Sequence, residues 1–223
     1  MNQQKLEISS IRNYGNFELL SFTGNNFSIK PGQFLIVYHP EKDDHLLPIY
    51  FGLQMEHNFF VKPMDTNWEI GDQLISKGPV GPEFSEDSNY QNLLCISIAR
   101  PKGGLNPVIE NNARIGKNVA YMVEDINLIL PNSVEIVLPE TLDETLLWAD
   151  RILIDGERDH LGKNMGLLRK ILHSKTPTEI LVYCPILCSG GSQCMVCSLK
   201  TKKGWVKTCQ HGTVFNLDEL EFS

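Results

Sequence analysis

No run of about 18 consecutive apolar residues occurs in the 223-residue chain, so no membrane-spanning helix and no membrane partner are expected. The opening residues MNQQKLEISSIRNYGNFELL carry no basic segment followed by an apolar stretch, so a secretory signal is not expected and a cytoplasmic location is. Positive charge is also scarce. Twenty Lys and Arg stand against 27 Asp and Glu, giving a formal charge of -7 and a pI near 5.4. A general nucleic-acid binder needs clustered cations to neutralise phosphates, so no nucleic-acid partner is expected. No serine elbow, no H-E-x-x-H helix and no convincing cysteine–histidine pair appears, which leaves independent hydrolytic chemistry without support. Asp155, Glu157 and His160 are expected in a solvated loop at a strand end. A chain with 42% hydrophobic residues can build a substantial core without covalent staples.

Cysteine is sparse over most of the length and then concentrated. Cys95 stands alone inside LLCISIA and is expected in the core, whereas the other five of the six lie between 184 and 209. In a reducing compartment such a group binds metal or does redox work more readily than it forms disulfides. Cys188, Cys194, Cys197 and Cys209 are spaced C-x5-C-x2-C-x11-C, with Gly190 and Gly191 in the first gap. Plant-type ferredoxins space three ligands C-x4-C-x2-C with a distant fourth, one residue shorter in the first gap. Structural zinc draws paired C-x2-4-C knuckles, and only Cys194 and Cys197 form one here. Spacing alone leaves both metals open. The basic stretch LKTKKGWVK between the last two cysteines reads as a solvated hairpin, with docking of an acidic partner as the alternative.

Two organisational patterns divide the remainder. The first ninety residues alternate short apolar runs (FELLSF, FSIKPGQFLIVYH, PIYFGLQ, NFFVKPM) with Gly, Pro, Asn and Asp, which predicts a small antiparallel barrel or sandwich. EFSEDSNYQN, residues 83–92, is polar, acidic and aperiodic, and is the expected linker. Strand-like LLCISIA, KNVAYMVED, SVEIVLP, ADRILID and EILVY then alternate with helical LNPVIENNARIG and KNMGLLRKILHS, predicting a parallel sheet with crossover helices. In the second helix Met165, Leu168, Ile171 and Leu172 are expected to share one core-facing side.

Three further stretches carry a resemblance to a known family. The tail ILCSGGSQCMVC, a basic hairpin, then CQHGTVF is similar to the M-x-C-G-x-G-x-C-x-G-C and C-x-x-G-P-V-F segments of the electron-transfer subunits of two-subunit bacterial dihydroorotate dehydrogenases, a branch of the ferredoxin reductase superfamily. KPGQFLIVYHP and GDQLISKGPVGPEF resemble that family's flavin-barrel strand and turn. The resemblance implies a mixed β and α/β fold: an N-terminal antiparallel β-barrel over 1–88, a nucleotide-binding-like parallel α/β sheet domain over 89–183, and a small C-terminal iron-sulfur domain over 184–223. It also implies a 2Fe-2S cluster on Cys188, Cys194, Cys197 and Cys209, with Cys184 a non-ligand thiol nearby and His211 a less favoured substitute ligand. FAD is implied as a second cofactor, with Pro48, Ile49, Tyr50, Gly78, Pro79 and Gly81 at its site. The implied partner is an FMN-containing dehydrogenase subunit of barrel fold, in a hetero-oligomer.

The family's R-P-x-S element corresponds to LPIY, where Leu47 stands for the arginine that holds the FAD pyrophosphate and Tyr50 for the serine. An alkyl chain offers phosphate no bidentate fork, so this substitution opposes FAD binding. The family's glycine-rich nicotinamide turn corresponds to ARPKGGLNP, which keeps Gly103, Gly104 and Pro107, lacks a third glycine and gains Arg100 and Lys102. Its C-G-P element corresponds to the acidic DGERD, residues 155–159, and direct NADH oxidation is therefore not expected. Two readings stand: an electron-transfer subunit, or a degenerate reductase-like binding or regulatory module with a structural zinc or iron-sulfur site and no organic cofactor.

Overall fold

The computed structural model describes residues 3–24, 28–42, 45–54, 58–64, 66–86, 89–99, 102–124, 129–186 and 194–221. Six strands, β1 (Gln3–Tyr14), β2 (Phe17–Phe22), β3 (Phe34–Tyr38), β4 (Leu47–Gln54), β5 (Asn58–Val61) and β6 (Gln73–Val80), close into an antiparallel barrel in the order β1-β2-β5-β4-β3-β6. Side chains alternate across a strand. Leu35, Val37, Ile49 and Phe51 therefore fill the barrel with Leu6, Leu20 and Leu74, while Phe34, Ile36 and Tyr50 on the opposite faces enter a second core.

That second core belongs to a six-stranded sheet. It contains β7 (Asn92–Ile98), β8 (Asn118–Met122), β9 (Val134–Val137), β10 (Arg151–Glu157) and β11 (Thr178–Tyr183), all parallel. Around them run α1 (Asn106–Arg114), α2 (Leu142–Trp148), α3 (Arg158–Lys163) and α4 (Met165–Ser174). β7 and β10 are almost wholly buried, with apolar runs LLCI and ILI, as strands covered on both faces must be. After β11 the chain forms a hairpin, β12 (Ser198–Thr201) and β13 (Gly204–Lys207), a single-turn helix α5 (Thr208–His211) and a last strand β14 (Val214–Asn216). β14 pairs antiparallel with β11, giving the order β14-β11-β10-β7-β8-β9. The cysteine-bearing tail is thus partly built into the α/β sheet.

Strand order reverses between β7 and β10, and the crevice outside the carboxyl ends of strands at such a point is where open α/β sheets take ligands. Here the barrel faces that crevice. The Tyr14 hydroxyl donates to Glu110 of α1 at 2.7 Å, and α1 packs on β4. The expected linker is docked onto the sheet: Phe84 is buried, and Ser85 donates to Glu179 through N at 3.0 Å and Oγ at 2.9 Å. Arg151, ion-paired with Glu179, reaches the same Ser85 Oγ at 2.9 Å. In α4, Leu168 and Ile171 are buried and Met165 packs partly against the core, but Leu172 is exposed. The apolar stripe is narrower than the sequence pattern because α4 is covered along one side only. No helix among the described residues is long and apolar enough to cross a membrane.

Candidate functional site

A cleft of about 800 Å³ opens between the barrel and the carboxyl ends of β7, β10 and β11. Phe17, Glu18, Pro48, Tyr50, Val61, Lys62, Pro63 and Met64 line it from the barrel; Lys102, Glu157, Arg158, Asp159, His160, Tyr183, Cys184 and Pro185 line it from the sheet. Every cation among these described lining residues already has a carboxylate: Lys62 with Glu18 at 2.6 Å, Lys102 with Glu157, Arg158 with Asp159 at 3.3 Å, and His160 with Glu157 at 3.1 Å.

Tyr50 closes the inner end. Its ring stacks edge-on against Tyr183 with centroids 4.8 Å apart and lies 5.3 Å from Phe34. Its hydroxyl is buried beside Thr213, and neither group makes a hydrogen bond of ordinary geometry. Burial raises the Tyr50 pKa above that of an ordinary phenol. Behind Tyr183 lies a buried polar chain. Tyr183 Oη donates to Asp155 Oδ2 at 2.6 Å and accepts from the Gly104 N–H at 3.1 Å. Ser97 Oγ donates to Asp155 Oδ1 and sits 2.7 Å from Tyr121 Oη. Burial raises the Asp155 pKa to about 6, opposed by the Ser97 and Tyr183 hydrogen bonds and by the Lys102 charge. Asp155, 1% exposed, therefore departs from the expected solvated loop; it lies on β10 directly opposite Ser97 of β7. A lone serine in LLCISIA and the aspartate that ends the apolar run of ADRILID were the available signals.

The positions proposed from sequence for organic cofactors fall into three places. Pro48 and Tyr50 line the cleft, whereas Ile49, fully buried, belongs to the barrel core because strand alternation turns it inward. Gly103 and Gly104 pack against protein. A Cβ on Gly104 would collide with Leu181 and Tyr183, and one on Gly103 would come within 3.1 Å of Val61 of the barrel. Gly78, joined to Pro79 by a cis peptide, lies against Leu35, while Gly81 meets the cysteine-rich tail. A Cβ on Gly81 would stand 2.6 Å from Gly212 Cα, and one on Gly32 2.7 Å from Val214 Cγ2. Gly32 of KPGQF and Gly81 of GPVG thus leave room for the CQHGTVF segment. Arg100 lies outside the described residues. With no guanidinium at position 47 and no unengaged cation among the described cleft residues, the site does not fit FAD held through a pyrophosphate fork.

The thiols are better placed. Strands β12 and β13 pair Ser198 with Lys207, so the eleven residues between Cys197 and Cys209 fold back on themselves. Thr208 donates to the Cys197 carbonyl through N at 3.0 Å and Oγ1 at 3.1 Å, which brings the two cysteines to one end of the hairpin. Cys197 is 2% exposed, Cys209 4%, and Cys194 is exposed. A turn closed by Ser198 N to Met195 O at 3.0 Å carries Cys194 and Cys197, with Met195 in the left-handed region at φ 57°. Cys184 adjoins Cys197, Thr208 and Arg158 and lines the cleft. Its burial pushes its pKa to about 11, partly offset by the Arg158 charge. His211 stacks on Phe215 with centroids 5.6 Å apart. Cys188 lies outside the described residues, and among the described residues no three metal-ligating side chains converge. No disulfide forms among the described cysteines. Two buried thiols at the hairpin base, with Cys194 on the adjoining stretch, are by their chemistry donors suited to a thiolate-held metal centre.

A barrel set against the switch point of a parallel sheet is the architecture of ferredoxin-reductase-type oxidoreductases. No protein-family model matches the chain. The electron-transfer subunit of dihydroorotate dehydrogenase B (NAD(+)) from Clostridium perfringens is 25% identical over 177 residues, 68% of this chain and 68% of that protein. Among solved structures, an NADH-dependent reduced ferredoxin-NADP oxidoreductase studied for flavin-based electron bifurcation has a TM-score of 0.72 at 17% identity, over 97% of this chain and 90% of the other. The ferredoxin reductase of carbazole 1,9a-dioxygenase has a TM-score of 0.61 at 16% identity, over 79% and 67%. The chain thus shares the fold of these ferredoxin reductases and is similar in sequence to a dihydroorotate dehydrogenase electron-transfer subunit.

Proposed function

We propose that the chain is an electron-transfer subunit that holds a 2Fe-2S cluster on Cys188, Cys194, Cys197 and Cys209 and exchanges single electrons with a partner flavoprotein dehydrogenase. The observation that carries this reading is the β12–β13 hairpin, which gathers Cys197 and Cys209, buried, at one end beside the Cys194 turn. When bound, such a cluster supplies reversible one-electron transfer between a flavin and the next redox centre. The protein's residues do the rest. Thr208 fixes the spacing of two thiols, the Gly81–Gly212 contact seats the tail on the barrel, and the buried surroundings of Cys197 and Cys209 exclude water. A dehydrogenase is the proposed partner by analogy with the Clostridium electron-transfer subunit, and the family resemblance makes it an FMN-bearing protein of barrel fold in a cytoplasmic hetero-oligomer.

A second reading has its own observation. The filled glycine turn and missing guanidinium also suit a reductase-like body that has lost its organic cofactors and uses the thiols for structural zinc. Protein purified without oxygen decides between them. Visible absorption that bleaches on dithionite, with iron and acid-labile sulfide in equal amounts, supports the electron-transfer reading; a colourless zinc-loaded protein overturns it. Heat-released supernatant is expected to show no flavin fluorescence, and flavin emission there would refute the reading of the cleft.

A further inference from the structure

Arg158 opens α3 at the carboxyl end of β10, on the cleft wall. Its guanidinium spans the sequence to reach the cysteine turn: Nη1 donates to the carbonyl of Val196 at 2.7 Å and lies 3.4 Å from that of Ser198. These are the residues on either side of Cys197. The same cation faces the Cys184 thiol, which itself adjoins Cys197. Among the described residues of the neighbouring elements, Asp159 pairs with Arg158 Nε at 3.3 Å and is largely exposed, while Glu157 is engaged by Lys102 and His160. The other described cations of the cleft stand in their own ion pairs, so Arg158 is the one bonded to the thiol turn.

We infer that Arg158 is a positioning residue for the cysteine-held centre: it straps the Cys194–Cys197 turn to the sheet at the switch point and sets a fixed positive charge beside it. The inference rests on the electron-transfer reading above. A planar guanidinium suits this task because its rigid fork holds Asp159 through Nε while Nη1 reaches the turn carbonyls, and it stays charged at every working pH. Reduction adds one negative charge to the centre, so a cation held nearby favours the reduced form. With partial solvent screening, one fixed charge bonded to the turn is worth roughly tenfold in the reduced-to-oxidised ratio, or about 59 mV for a one-electron couple.

The test uses the full chain purified without oxygen, with Arg158→Lys and Arg158→Met beside wild type. Iron and sulfide content, the midpoint potential and the rate of Cys197 alkylation in metal-free protein are read for each. Arg158→Met is expected to lower the midpoint by about 59 mV, a roughly tenfold change, and to speed Cys197 alkylation. Arg158→Lys is expected to recover the midpoint, because charge is kept, while leaving alkylation faster than wild type, because a single ammonium lacks the rigid fork that holds Asp159 through Nε and the two carbonyls through Nη1. A fully loaded Arg158→Met protein with wild-type midpoint and wild-type alkylation overturns the inference. If Arg158→Met fails to fold, alkylation of Arg158→Lys decides: a wild-type rate overturns the strap. If wild type itself holds neither iron nor sulfide, the failure belongs to the electron-transfer reading.

Discussion

Gly212 offers the sharpest test of how the tail is joined to the barrel. It sits at φ 100°, ψ −176°, a region essentially restricted to glycine. A Cβ there would stand 2.6 Å from Pro82 Cδ and closer still to Gly81 Cα. Neither neighbour is the free end of a flexible side chain. Gly212→Ala therefore incurs backbone strain of about 1–3 kcal/mol and overpacking of about 1–3 kcal/mol. The sum, roughly 4 kcal/mol, is a large part of the ~5–15 kcal/mol that usually holds a protein folded. For a chain of this size that lowers Tm by about 10 °C. Gly116 is the control, with φ 78° and nothing within 4 Å of its added Cβ; Gly116→Ala carries strain alone. Thermal unfolding followed by circular dichroism gives the comparison. Because α5 carries Cys209 and ends at Gly212, Gly212→Ala should also release iron on mild heating. If Gly212→Ala melts no lower than Gly116→Ala, the proposed backbone-to-backbone seating is wrong.

Other outcomes are equally specific. Cys197→Ser and Cys194→Ser should each abolish or severely perturb the visible chromophore, while Cys184→Ser leaves it nearly unchanged; a colourless Cys184→Ser protein reverses the ligand assignment. The double change Leu47→Arg with Tyr50→Ser should restore flavin binding, measured by quenching of added FAD, because Tyr50→Ser empties the inner cleft and a long arginine at the first residue of β4 offers phosphate a fork; absence of any gain places the obstacle elsewhere. Asp155 has its pKa raised from 3.8 to about 6 in the folded protein, so its contribution to stability is fully present below 3.8 and declines as pH rises toward 6. The decline is about 3 kcal/mol at most, and denaturant titrations at pH 4 and pH 7 should show it in wild type and lose it in Asp155→Asn. An Asp155→Asn protein with the wild-type pH slope would assign that slope to other groups.

Much of the fold was legible. Short apolar runs between Gly and Pro, and then the alternation of β-rich and helical segments, pointed to a barrel followed by a parallel sheet because those periods follow from backbone geometry. The site was legible only in part. Pro48 and Tyr50 reach the cleft, but Ile49 between them turns into the barrel, a fact of strand alternation that needs the register to be known. The glycines of the GPVG turn looked like ligand-binding corners, yet Gly81 serves Gly212, 131 positions later. Arg158 drew notice only as part of an acidic segment, and its bonds to Val196 and Ser198 join stretches that no local pattern connects.

The sequence by itself determined the period of each strand, the thiol spacing and the loss of the arginine fork, since these depend on residue identity and near neighbours. Only the tertiary structure decided that the glycine turn is packed with side chains, that a buried aspartate links β7 to Tyr183, and that the tail rests on the barrel through paired glycines. Those outcomes depend on which distant surfaces meet, and packing at close range is set by all the chain's contacts together.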